Sequence, residues 1–161
     1  MSELTQEKVN EIIQKLEDFR KTLLNKEKSH FPAIKELEFC NRKHCNYISA
    51  MYMPHTELYN EILEKLSEDD IIIDMGSGDF RFPLLISQKV KKVYAVEFNP
   101  ELVYNALKII GFDLPDNLII ICADWFLIPI PKDVTIITCL VNKPEIPEEW
   151  NNYKLILGFS K

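Results

Sequence analysis

IIIDMGSGDFRFPLL, residues 71–85, is the stretch whose reading decides the fold. It reads as a short apolar strand, a glycine turn and the start of a helix. The chain has four glycines, and two of them, Gly76 and Gly78, fall in this one turn. The reason is steric: a backbone that bends sharply and comes within contact distance of a ligand cannot carry side chains at the contact points. The peptide N–H groups there, and the N-terminus of the next helix, can then meet a polar or anionic group. One residue departs from the pattern. Phe80 stands where the commonest version of such a turn has its last glycine, so a ring must be housed beside the turn.

Downstream, short apolar runs rich in Ile and Val recur: VYAVE, LIIICAD, VTIITCL and KLILGF. Runs without alternation point to strands buried on both faces, hence a parallel sheet with crossover helices. Five strands are expected near 71–75, 93–97, 118–122, 134–139 and 154–159. FPLLISQKV and PELVYNALKII suit helices, the second opening on Pro100 at a favoured first-turn position. Upstream, Val9, Ile12, Ile13, Leu16, Phe19, Leu23 and Leu24 recur at helical spacing, predicting a helix from residue 3 to about 28. Another helix is expected from His55 to Leu66, with Thr56 as N-cap and SEDD as the terminating turn. Between them the periodicity breaks, and a short helix within irregular chain is expected. The division is a helical extension, 1–66, packing on a sheet-bearing core, 67–161.

Acids sit where such a sheet binds ligands, beyond the carboxyl ends of its strands. Asp74 ends the first strand. Glu97 ends the second, about 20 residues past the glycines, the offset at which an acid reaches nucleotide ribose hydroxyls. Asp124 and Trp125 follow the third, where an adenine could be hydrogen-bonded and stacked. Each acid has a local alternative. Asp74 could cap the glycine turn, Glu97 could cap the helix at Pro100, and Asp124 could open an Asx turn. Their occurrence at three successive strand ends, with the glycines, favours a nucleoside site.

Composition bounds the rest. At 161 residues, with 47% hydrophobic and 27% charged residues, the chain has the make-up of one soluble globular domain. The formal charge is −6, with 10 basic against 14 acidic residues over 1–70 and 9 against 11 over 71–161. Neither half is basic, which disfavours a nucleic-acid footprint. No apolar run suggests a signal peptide or a membrane span, so the expected setting is cytoplasmic, with reduced cysteines. CNRKHC, with His30 upstream, lacks the C-x2-C pairs of a structural zinc site and reads as a solvated basic face; no metal is expected.

D-x-G-S-G-D, V-E-x-N-P-E-L and A-D-W resemble the first three motifs of class I S-adenosylmethionine-dependent methyltransferases. YMPHTELYNEILEKLSEDDIIIDMGSGDFR is similar to the lead-in of small archaeal protein-lysine methyltransferases, and KDVTIITCL looks like that group's fourth strand. The resemblance spans roughly residues 52–141. It implies a Rossmann-like sheet, S-adenosylmethionine as cofactor and a protein lysine as acceptor. It also implies that Asp74, Gly76, Ser77 and Gly78 line the cofactor's methionine half and that Glu97 holds the ribose. Phe98 would then lie beside the adenine, Asp124 and Trp125 would contact it, and Tyr52 would close over the transferable methyl. Displacement at a sulfonium relies on positioning, so no conspicuous acid–base pair is required.

The sequence departs from that pattern at Phe80 and at His55–Thr56, where the family has Thr-Pro. CLVNKP is not the Asn-Pro-Pro-Tyr element of enzymes that methylate base amines. The family's C-terminal hairpin has no counterpart among the five strands, which would leave KLILGF as a sheet edge for the N-terminal helices, a second copy or a partner protein to cover. These departures raise a second reading, a degenerate methyltransferase fold serving as a binding or assembly module.

Overall fold

The computed structural model describes residues 4–28, 56–140 and 146–157. A first helix, α1 (Gln6–Lys28), starts after Thr5, whose Oγ1 accepts a hydrogen bond from the Lys8 N–H at 3.2 Å. Val9, Ile12 and Leu16 are buried, as their spacing requires. The helix α2 (Thr56–Leu63) stops short of SEDD: the chain leaves it at Glu64–Lys65, while Leu66 still reaches the core. The expected short helix between α1 and α2 lies outside the described residues, as do Tyr52 and the CNRKHC cluster.

The remaining elements alternate. They are β1 (Ile71–Met75), α3 (Arg81–Ser87), β2 (Lys92–Glu97), α4 (Pro100–Ile110), β3 (Leu118–Cys122), β4 (Ile136–Cys139) and β5 (Lys154–Leu157). β4 starts two residues later than expected: the Val134 N–H closes a turn on the Pro131 carbonyl, and the Thr135 N–H donates to the Ile71 carbonyl of β1 just ahead of the strand. All strand pairs are parallel, in the order β3-β2-β1-β4-β5. This is the Rossmann-like sheet expected from the sequence. Strand order reverses between β1 and β4, which makes their carboxyl ends the ligand-binding crevice of such a sheet.

The two faces of the sheet are covered differently. On one, Ile72, Val93, Ala95, Leu118 and Ile136 pack under the helices, together with Ile12, Leu16, Tyr59, Phe82, Leu84 and Ile110. α1 reaches this layer through α3 and α4, and an exposed Lys8–Asp113 ion pair adds a further tie. On the other face, Ile71, Ile73, Met75, Val96 and Ile137 pack against Val134 and Trp150, with Trp125, Ile128 and Ile130 half-buried around them. No α-helix lies on that face among the described residues, and Trp150 comes from a 3-10 helix, Glu148–Asn152. The β3-to-β4 connection crosses it as a single 3-10 turn (Trp125–Leu127) and extended chain. At one border of the sheet β3 exposes Ile119 and Cys122; at the other, β5 has Leu155, Ile156 and Leu157 half-buried, so side chains from both faces partly shield it.

Candidate functional site

The glycine turn is built by its backbone angles. Gly76 has φ 81° and Gly78 φ 61°, both in the left-handed region where a side chain is costly. The N–H groups of Gly76 and Ser77 both donate to the Val96 carbonyl, at 2.8 and 2.9 Å, which fastens the turn to the end of β2. Phe80, φ 69°, adopts the same left-handed conformation, so it occupies a glycine position in geometry as well as in sequence. Its ring is fully buried and belongs to the core beneath the helices. The ring therefore lies in the packed layer under α3. Burial offsets the backbone strain, which for a non-glycine residue is about 1–2 kcal/mol.

Asp74, at the end of β1, is buried and accepts two hydroxyl hydrogen bonds. Ser77 Oγ donates to Oδ2 at 2.8 Å, and Thr138 Oγ1 donates to Oδ1 at 2.7 Å. Thr138 sits opposite Asp74 in the β1–β4 register, at the point where strand order reverses. Burial pushes the Asp74 carboxyl up to about 6, although both hydroxyls favour its ionised form.

Glu97 closes the constellation. Its Oε1 accepts from the Gly78 N–H at 2.8 Å, and its Oε2 accepts from the Asn99 N–H at 2.7 Å. One side chain thus ties the glycine turn to the entry of α4. Its own carbonyl accepts from the Ala123 N–H at 3.1 Å, which brings the exit of β3 alongside. Burial raises its carboxyl to about 7; the backbone donors pull the other way and the nearby Asp74 charge adds to the rise. The cap of α4 is not Glu97 but Asn99, whose Oδ1 accepts from the Glu101 N–H at 3.0 Å.

The residues expected at an adenine are arranged less uniformly. Phe98 follows Glu97 directly and is 38% exposed, so a flat ligand could reach its ring. Asp124 accepts from the Phe126 N–H at 3.0 Å, the Asx turn that was its local alternative. Trp125 lies edge-on to Trp150 at 5.8 Å between ring centroids, which uses the ring on the face of the sheet opposite the α-helices. Its Nε1–H is buried with no hydrogen-bond partner among the described residues.

The structure therefore brings Asp74, Gly76, Ser77, Gly78 and Glu97 into one hydrogen-bonded group, with Phe98 and Asp124 at its border. Trp125 turns toward Trp150, and Tyr52 is outside the described residues. Four residues had no role in the sequence reading: Thr138, Asn99, and the buried pair of Asp79 and Arg81. Asn99 before Pro100 carried a readable N-cap signal. Thr138 showed only as a hydroxyl inside an apolar run, and the significance of Arg81 depends on long-range contacts. No group of metal-binding side chains occurs among the described residues, and no described helix is long and apolar enough to cross a membrane.

No family model matches the chain. Among solved structures, it is similar to Trm5b from Pyrococcus abyssi, with 21% identity and a TM-score of 0.49 over 54% of this chain and 26% of that one. It is similar to a dimethyladenosine transferase from Plasmodium falciparum, with 18% identity and a TM-score of 0.49 over 62% of this chain and 35% of the other. An RNA methyltransferase from Salinibacter ruber in complex with S-adenosyl-L-homocysteine shares 24% identity, with a TM-score of 0.48 over 54% of this chain and 59% of its own. The chain thus spans between 26% and 59% of the length of these three structures.

Proposed function

We propose that this chain binds S-adenosylmethionine at the carboxyl ends of β1, β2 and β3 and serves methyl transfer. The observation that carries the reading is Glu97, a carboxylate joined to the Gly78 N–H at the glycine turn. Oxygens of that carboxylate retain lone pairs for the two ribose hydroxyls of a nucleoside. The turn's other amides favour this ligand class over a dinucleotide. Gly76 and Ser77 spend their N–H groups on Val96, so they do not form an open cradle for a pyrophosphate. Two buried acids, Asp74 and Glu97, instead suit a cofactor carrying an ammonium and a sulfonium.

In this reading Asp74 faces the cofactor's amino group, held in orientation by Ser77 and Thr138. Glu97 orients the ribose, and Phe98 lies against the adenine. When bound, the cofactor supplies an electrophilic methyl group, and the protein's task is to hold that group in line with an acceptor. With the Phe80 ring in the core, the strongest reason for a degenerate site loses its force. The acceptor implied by the sequence resemblance is a protein lysine, and the reading rests on the lead-in over 52–81 and on KDVTIITCL.

Titration calorimetry with S-adenosylhomocysteine tests the reading. Micromolar binding is expected for the wild type, weakened at least tenfold in Glu97→Ala. Absence of heat at millimolar ligand would sink it.

A further inference from the structure

Arg81 is the first residue of α3 and is 1% exposed. A buried guanidinium is costly unless it is paired, and a cation at a helix N-terminus also opposes the helix dipole. Three elements supply the compensation. Arg81 Nε donates to Asp79 Oδ2 at 2.6 Å, and its backbone N–H donates to Asp79 Oδ1 at 3.1 Å. Nη1 donates to Glu17 Oε2 of α1, and the guanidinium sits 5.3 Å from the centre of the Tyr59 ring of α2. Asp79 is itself 2% exposed, so this is an ion cluster inside the fold.

Its position along the chain gives it a second consequence. Asp79 and Arg81 flank Phe80, and their two-point contact bridges the one non-glycine residue held at positive φ among the described residues. Strained backbone persists only where its surroundings over-determine it. The residue before Asp79 is Gly78, whose N–H holds Glu97. A chain of direct contacts therefore runs from α1, through Arg81 and Asp79, to the amide that fixes the ribose-side carboxylate.

We infer that Arg81 is a positioning residue that couples the seating of α1 to the shape of the glycine turn, so that ligand affinity depends on Glu17, which belongs to a different element. The affinity part rests on the cofactor reading above; the coupling part does not.

The experiment compares wild type with Glu17→Gln and with Asp113→Asn. The latter removes the exposed Lys8–Asp113 pair, which also ties α1 to the core but does not touch the turn. Without ligand, amide shifts and hydrogen exchange are followed at Gly76, Gly78, Asp79 and Phe80. In Glu17→Gln these amides are expected to shift and to exchange roughly 3- to 10-fold faster, while Asp113→Asn leaves them at wild-type values. S-adenosylhomocysteine affinity is expected to fall by a similar factor in Glu17→Gln alone. Unchanged turn amides in folded Glu17→Gln would overturn the coupling whether or not any ligand binds. Equal changes in both variants would also overturn it, since they would mean only that α1 had loosened. Should the wild type fail to bind, the cofactor reading falls, and the turn amides alone decide the coupling.

Discussion

At the scale of single residues, Phe80 shows how one position can satisfy two opposed demands. Its backbone angle asks for glycine, while its side chain is fully buried in the helix-side core. Removing a buried phenylalanine ring costs about 3–5 kcal/mol, against about 1–2 kcal/mol of left-handed strain relieved by glycine. Phe80→Gly is therefore expected to lose roughly 1–4 kcal/mol in urea denaturation by that difference, without gaining affinity for S-adenosylhomocysteine. A variant that bound more tightly than wild type would place the ring back in the pocket. Asp74 and Thr138 illustrate the opposite case: two polar side chains in central strands, each acceptable there because the other is present.

At the scale of elements, the strands were legible because apolar runs without alternation suit few other structures, and four of the five begin within one residue of expectation. α4 was legible from Pro100, but two residues ahead of it carried a cap signal. Asn99 and Glu97 both precede the helix, and only the geometry shows that Asn99 caps it while Glu97 reaches back to the glycine turn. Asn99→Ala should thus destabilise the protein by about 1 kcal/mol, the ordinary value of an N-cap. Ligand affinity should stay near wild type, since the Asn99 contact to Glu97 is made by a backbone N–H. Denaturation and calorimetry on the same sample separate the two effects. The Glu17–Arg81–Asp79 cluster was not legible in this way. Glu17 sits on the amphipathic helix among many exposed charges, and its partner is fixed only once α1 is packed on α3.

At the scale of the whole molecule, the two buried carboxylates set opposite pH trends for stability and for binding. Asp74 and Glu97 are raised to about 6 and about 7, mainly by burial. The folded, ligand-free protein then holds their protons more tightly than the unfolded chain does. Their favourable contribution is complete below the ordinary carboxylate range and is lost as pH rises through 6 and 7. The melting temperature of the free protein is expected to fall between pH 5.5 and 8, while affinity for S-adenosylhomocysteine rises over the same interval as both groups ionise. Scanning calorimetry and isothermal titration across that range check the two slopes, and parallel trends would refute this account. The unequal cover of the sheet has a practical consequence as well. The chain's two tryptophans, Trp125 and Trp150, touch each other on the face that has no described α-helix, whereas α1, α3 and α4 lie on the opposite one. Indole emission therefore watches one layer of the protein and helical dichroism the other, so the chain carries two built-in probes for asking whether its layers come apart together.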